Sequence, residues 1–142
     1  MRVIVLNGVN LNIVGRRDPK IYGGLTIAEL EGRIYDWGRQ LELAVQCRQT
    51  NNEGEFVKWC HDAHDNTDGM ILNPGAWTHY AWSIHDALEP LTIPLVEVHL
   101  SNPDEREEWR KLDVIKDVVS ARFVGQGADG YRLGLEYLKE NA

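Results

Sequence analysis

The chain has 142 residues, a length that suits one domain, and its 43% apolar content is enough for a two-sided core. Its net charge of −7, from 22 acidic against 15 basic residues with no basic run, argues against nucleic acid or a membrane surface and toward a small-molecule partner. Cys47 and Cys60 lack CxxC spacing, the opening "MRVIVLNG" is a strand rather than a signal peptide, and no apolar window reaches membrane-spanning length, so a cytoplasmic protein is expected.

Short β-branched runs alternate with longer amphipathic ones, the mark of βαβ units around a parallel sheet. The first strand is "VIVLN" (3–7), followed by a polar loop and a helix over about 26–43. That helix opens on a capping-box pattern, Thr26 and Glu29, and carries Ile27, Leu30, Ile34, Trp37 and Leu41 on one stripe. A second strand, "AVQCRQ" (44–49), leads to a helix near 53–65 with Phe56, Trp59, Cys60 and Ala63 inward. Strand "GMILN" (69–73) precedes a helix over 79–89 with Ala81, Ile84 and Leu88 inward, and "PLVEVHL" (94–100) is the fourth strand. "NPDEREEWR" (102–110) reads as a helix start, with Asn102 as cap, Pro103 in the first turn and Glu105 completing a box. Strand "ARFVG" (121–125) and a helix over 129–139 complete the chain. This pattern predicts an α/β, flavodoxin-like three-layer sandwich: one domain, 1–142, around a five-stranded parallel sheet in the order 2-1-3-4-5.

One motif is a decoy. "GQGADG" (125–130) fits G-x-G-x-x-G between a strand and a helix, but only twelve residues follow it, too few for the next strand and its ribose-binding acid. It is read as a glycine-permitted turn. "HDAHD" (61–65) lacks a third metal ligand, and the histidines of "HYAWSIH" (79–85) are six apart, so no metal is expected.

The loops after the strands at the carboxyl edge of an open α/β sheet form its ligand crevice. Three segments there carry polar groups that folding does not require. The opening loop, "NGVNLNIVGRRDPKIYGG" (7–24), holds Asn10, Asn12, Arg16, Arg17 and Tyr22. Taken singly, these residues suit turns and surface charge, and Arg16 is left with that reading; it is their density that suggests function. "ILNPGAWTH" (71–79) ends its strand on Asn73 and bends at Pro-Gly, so its backbone amides can face a ligand. In "VEVHLSN" (96–102), Glu97 and His99 alternate with apolar residues and therefore share one face of a buried strand, where an unpaired ionisable side chain is costly.

These residue types fit a reaction. A tyrosine ordinarily holds its proton to about pH 10, and a guanidinium such as Arg17 favours the phenolate, making Tyr22 a candidate base. His99, oriented by Glu97, can act as acid toward a leaving oxygen. A base, an acid and no cofactor motif suggest elimination of water beside a carbonyl, with Arg106 and Arg110 placed to close over an anionic or polyhydroxyl substrate.

The motifs "NGVNLNIVGRRDPKIYG", "ILNPGAWTHY" and "PLVEVHLSNPDEREEWR", in this order and at these separations, make the chain resemble the type II 3-dehydroquinate dehydratases over nearly its whole length. The resemblance implies a flavodoxin-like fold, no metal, no cofactor and no Schiff-base lysine, and a homododecamer built from trimers. It implies anti elimination of water from 3-dehydroquinate to 3-dehydroshikimate through an enolate, in aromatic biosynthesis or quinate breakdown. Tyr22 would then remove the C2 proton with Arg17 tuning it, and His99, held by Glu97, would protonate the departing C1 hydroxyl. Asn73 and the backbone amides of Leu100 and Ser101 would bind the substrate carboxylate, and His79 and Arg110 would hold ring hydroxyls. Arg106 would lie in the lid region, Asn10 would position a water or stabilise the enolate, and Asp86 would serve a neighbouring subunit. Val9 stands where the family usually has proline, leaving the loop entry less rigid, and Val14 where it usually has leucine.

A binding module of the same fold is the alternative from another class. A flavin carrier wants a Ser/Thr-rich phosphate loop after the first strand, and a receiver wants acids where Asn7 and Asn73 stand. A hydrolase would need a nucleophile, and no G-x-S-x-G is present.

Overall fold

The computed structural model describes residues 1–142. Strands β1 (Arg2–Asn7), β2 (Ala44–Gln49), β3 (Gly69–Asn73), β4 (Leu95–His99) and β5 (Ala121–Val124) form a parallel sheet in the order β2-β1-β3-β4-β5. The expected order and fold class are therefore found. The three inner strands are buried on both faces apart from Arg2, which is why they read as continuous apolar runs, whereas the edge strands β2 and β5 are mostly half-buried and admit Gln46, Arg48 and Arg122.

Five α-helices accompany the sheet: α1 (Pro19–Tyr22), α2 (Ile27–Gln40), α3 (Glu53–Asn66), α4 (Trp82–Leu88) and α5 (Asp129–Asn141). On one face Ile4, Leu6, Met70 and Leu72 pack against Phe56 and Cys60 of α3 and Ile84 and Leu88 of α4. On the other, Val3, Val5, Ile71, Val96 and Val98 meet Leu30 and Ile34 of α2 and Leu135 and Leu138 of α5. Alternate side chains of a strand point to opposite faces, so β1 supplies Val3 and Val5 to one layer and Ile4 and Leu6 to the other. No helix is long and apolar enough to cross a membrane.

The capping box at α2 forms as expected: the Thr26 hydroxyl accepts from the Glu29 N–H while the Glu29 carboxylate accepts from the Thr26 N–H. Three expected elements differ. The α2 helix stops at Gln40 rather than about 43, because Glu42 takes a left-handed backbone at φ 58°. Residues Gly75–His79 form a 3-10 turn and α4 begins only at Trp82, because Tyr80 lies outside helical space at φ −156°. The segment 102–110 is two 3-10 turns, Pro103–Glu105 and Glu108–Lys111, instead of one helix. Asn102 does cap the first by accepting from the Asp104 N–H, but Arg106 is extended at φ −116°, ψ −154°, so no helix propagates.

At the carboxyl edge, the loop after β1 touches the loop after β3 backbone to backbone. A Cβ on Gly8 would lie 2.4 Å from the Pro74 carbonyl oxygen, and one on Gly75, already at φ +66°, would lie 2.6 Å from that of Val9. The decoy motif is a turn: Gly125 and Gly127 both adopt positive φ and carry the chain from β5 into α5.

Candidate active site

A cleft of about 240 Å³ opens at this edge, and the three polar segments converge on it. Asn10, Arg17, Tyr22, Asn73, His79, His99, Leu100, Ser101, Arg106 and Arg110 all line it. Glu97 stands behind His99, fully buried. Asp86 lies outside, on α4, with an exposed carboxylate that pairs with His85 Nδ1 at 2.9 Å.

The opening loop has more structure than expected. Asn10, held at φ 68°, starts a 3-10 segment over Leu11–Arg16, and its N–H donates to Asn51 Oδ1 at 2.8 Å. Asp18 then caps α1 by accepting from the Lys20 N–H, and Gly23 closes that helix in the left-handed region. Tyr22 is thus the last residue of a one-turn helix that buries none of its residues. The Arg17 guanidinium sits 3.9 Å from the centre of the Tyr22 ring, while Arg106 Nη1 donates to the Tyr22 hydroxyl at 2.8 Å and to Ser101 Oγ at 3.3 Å. Direct contact with the phenolic oxygen therefore comes from Arg106, and Arg17 acts from the ring face.

The opposite wall grows out of the sheet. His99 ends β4, and its Nε2–H donates to Glu97 Oε2 at 2.6 Å, as their period-two spacing requires. This leaves Nδ1 to exchange a proton with a ligand. Burial disfavours the imidazolium and pushes His99 down to about 4; the Arg122 guanidinium adds to this, while Asp113 and Asp104 oppose it. Burial also raises Glu97 above the usual carboxylate range, against the pull of Asp113 and Arg122. His79 stacks on His99 with ring centres 6.5 Å apart, meets Trp109 edge-on and donates from Nδ1 to the Leu112 carbonyl at 2.7 Å. Burial lowers its proton affinity.

Asn73 is fixed from both ends. Its Oδ1 accepts from the Gly75 N–H at 3.1 Å, and its Nδ2 donates to the Tyr131 hydroxyl at 3.0 Å. Tyr131, wholly buried on α5, donates in turn to Asn7 Oδ1 at 2.6 Å. Because Asn7 and Asn73 are register partners on β1 and β3, one hydroxyl holds both.

Sequence reasoning missed Tyr131, Asp113 and Arg122. Tyr131 sits on an apolar helix stripe and reads as core; Asp113 lies in a connecting segment without any pattern. Arg122 carried one faint signal, a lone charge within the β-run "ARFV". Elsewhere, His61 and His64 lie exposed on α3, and His64 Nδ1 pairs with Asp65.

The model of the class II dehydroquinases matches residues 1–139. A 3-dehydroquinate dehydratase of Deinococcus radiodurans is 45% identical over 139 residues, 97% of each chain. One from Syntrophotalea carbinolica is 47% identical over 135 residues, covering 94% of this chain and 91% of its own. Among solved structures, the type II dehydroquinase of Propionibacterium acnes superposes with a TM-score of 0.95 at 42% identity, covering 99% of this chain and 97% of the other. Matched along its length in both sequence and fold, the chain belongs to the class II dehydroquinase family.

Proposed function

We propose that the chain is a hydro-lyase that removes water from 3-dehydroquinate in an anti elimination, giving 3-dehydroshikimate through an enolate, in the shikimate pathway. The observation that carries this reading is the meeting, across one cleft, of a tyrosine flanked by two guanidinium groups and a histidine hydrogen-bonded to a buried glutamate. The names borne by relatives aligned over nearly the whole chain agree with it.

Tyr22 is the base. The Arg17 guanidinium lies over its ring and Arg106 donates to its hydroxyl oxygen, and the tyrosine side chain so held takes the C2 proton. The electron pair moves into the adjacent carbonyl as an enolate, which Asn10, directly or through a water, stabilises. His99 then delivers a proton to the C1 hydroxyl; the C1–O bond breaks, water leaves and the enolate collapses to the conjugated enone. Glu97 stabilises the imidazolium that must precede this step. Asn73 and the backbone of Leu100 and Ser101 bind the substrate carboxylate, and His79 and Arg110 hold ring hydroxyls, all from cleft-lining positions. The polarity of these walls and the positive charge of three arginines suit a small polyhydroxyl anion.

The working unit of this reading is a homododecamer of trimers in which Asp86 reaches a neighbour's cleft. Its support is that Tyr80 and Trp82, 58% exposed, lie on the same segment as Asp86, the kind of apolar surface a second copy covers. Light scattering on the purified protein measures this: a mass near twelve chains is expected, and a monodisperse monomer would refute it. A cytoplasmic setting fits two separate, unpaired thiols that burial pushes up to about 12.

The activity is tested by incubating purified protein with 3-dehydroquinate and following the ultraviolet absorbance of the enone. Product should accumulate with and without a chelator. No product would overturn the assignment, and loss of activity with chelator would overturn the metal-free mechanism.

A further inference from the structure

Behind Glu97 lies a cluster that the elimination itself does not use. Glu97 on β4 and Arg122 on β5 are register partners, so both side chains project to the same side of the sheet. Asp113, in the connection before β5, completes the group from above. Arg122 Nε lies 3.1 Å from Asp113 Oδ2 and 3.6 Å from Glu97 Oε1, and its Nη1 lies 3.5 Å from Asp104 Oδ2 at the surface. Two carboxyl groups thus flank one guanidinium in a setting where the Glu97 side chain is wholly buried and that of Asp113 is 5% exposed.

The hydrogen bonding is incomplete in an informative way. Glu97 uses Oε2 for His99, and Asp113 uses Oδ1 to accept from the Ile115 N–H at 3.0 Å. The remaining oxygens, Glu97 Oε1 and Asp113 Oδ2, are buried without a partner, as is Arg122 Nε, which is too far from Glu97 Oε1 and whose N–H is not aligned on Asp113 Oδ2. Two ionised carboxylates side by side would repel, and each would retain an orphaned oxygen, at the cost of burying unpaired charge. A single proton between them removes both problems.

We propose that Asp113 keeps its proton and donates it from Oδ2 to Glu97 Oε1, with Arg122 as counter-ion, and that Asp113 and Arg122 are positioning residues that hold Glu97 as the carboxylate His99 needs. The charges then balance: one carboxylate, one guanidinium and one neutral acid share the buried space. Burial, and then the Glu97 carboxyl itself, raise Asp113 to about 7; burial raises Glu97 too, but there the contact with Asp113 works against the rise, which leaves the proton on Asp113. The other charged or titratable groups facing the cluster are His99 on β4, Asp104 in the 103–105 turn and His79, with Arg110 beyond it. In energetic form the arrangement resembles carboxyl dyads in which two acids hold one proton between them. The role assigned to Glu97 and His99 rests on the proposed elimination; the location of the proton does not.

The test follows that division. The enzyme is labelled with ¹³C at aspartate carboxyls and titrated by NMR, with Asp113→Asn identifying the Asp113 signal by its disappearance. A midpoint near 7 is expected; one below about 5, in the ordinary aspartate range, would overturn the proton on Asp113. Turnover of 3-dehydroquinate then reads the positioning role. Asp113→Asn still offers a donor to Glu97 and should keep kcat within about threefold while losing any inflection near pH 7, whereas Asp113→Ala should lose about tenfold or more in kcat with KM little changed. Equal kcat values for the two variants, or an unchanged pH profile in Asp113→Asn, would overturn the positioning role. The isosteric variant carries the test even if Asp113→Ala fails to fold. A protein inactive on 3-dehydroquinate whose Asp113 titrates near 7 would refute the functional assignment and leave the shared proton standing.

Discussion

The two walls of the cleft are built on opposite principles. The wall bearing His99 is part of the sheet: Glu97 and His99 lie buried on an inner strand, and Arg122 faces Glu97 through strand register. The wall bearing Tyr22 is a one-turn helix with no buried residue, held by Asp18 at its start, Gly23 at its end and two arginines against the tyrosine. In the proposed elimination the acid is thus preorganised by the fold, whereas the base is assembled by contacts that two exposed turns must bring together. A proton donor inside a dry sheet has its affinity set by fixed neighbours, and a base on a flap can admit substrate before it engages.

Substitutions should separate the walls. Tyr22→Phe and His99→Ala should each lower kcat by about 10²- to 10⁴-fold, the usual worth of a general base or acid. Calorimetry should distinguish them, because Tyr22→Phe removes a hydroxyl from a half-exposed turn and should barely move Tm. Glu97→Ala, by contrast, leaves Arg122 and His99 without their buried partner and should cost about 3–5 kcal/mol of stability in addition to activity. An equally large Tm loss for Tyr22→Phe would contradict the contrast.

Next in size are the arginines of the flap. Arg106→Met removes a charge-assisted hydrogen bond to the phenolic oxygen worth about 1.5–3 kcal/mol, which as lost transition-state stabilisation is about 10- to 100-fold in kcat/KM. Arg17→Met should also reduce activity, and neither change should alter the urea midpoint. The Asn73 anchor belongs to the sheet side: Tyr131→Phe breaks its bonds to Asn73 and Asn7 together and should cost about 1–3 kcal/mol with a raised KM.

A further expected effect is a pH slope. Asp113, raised in the folded protein from 3.8 to about 7, contributes stability that is full below about pH 4 and lost as pH rises toward 7. His99, lowered from 6.5 to about 4, loses its contribution in the opposite direction, as pH falls through that window. Urea midpoints of wild type and Asp113→Asn between pH 4 and 8 isolate the first: the gap between the two proteins should change across the window, and a constant gap would contradict the raised Asp113.

The same contrast explains what was legible in the sequence. The sheet and its order followed from apolar runs alternating with amphipathic ones, because burial on two faces leaves a strong compositional trace. Glu97 and His99 stood out because two ionisable residues at period two within such a run have no bland explanation. Arg122 and Asp113 did not, because their meeting with Glu97 depends on register and on a connecting segment, neither of which leaves a local pattern. Tyr131 was hidden by its own apolar ring. The 102–110 segment shows a limit of capping signals: Asn102 and Pro103 start a turn equally well whether or not a helix follows. Tyr22 could be paired with Arg17 from proximity in the chain, but its hydrogen bond to Arg106 spans 84 residues and appears only in the folded molecule.

The most direct test of a separate base wall and acid wall is proton exchange without elimination. With 3-dehydroquinate in D₂O, His99→Ala should incorporate deuterium at C2, observed by NMR, while forming almost no enone, since Tyr22 still works and only the leaving group is stranded. Tyr22→Phe should show neither exchange nor product. Deuterium uptake by Tyr22→Phe, or full turnover by His99→Ala, would contradict the assignment of the two walls.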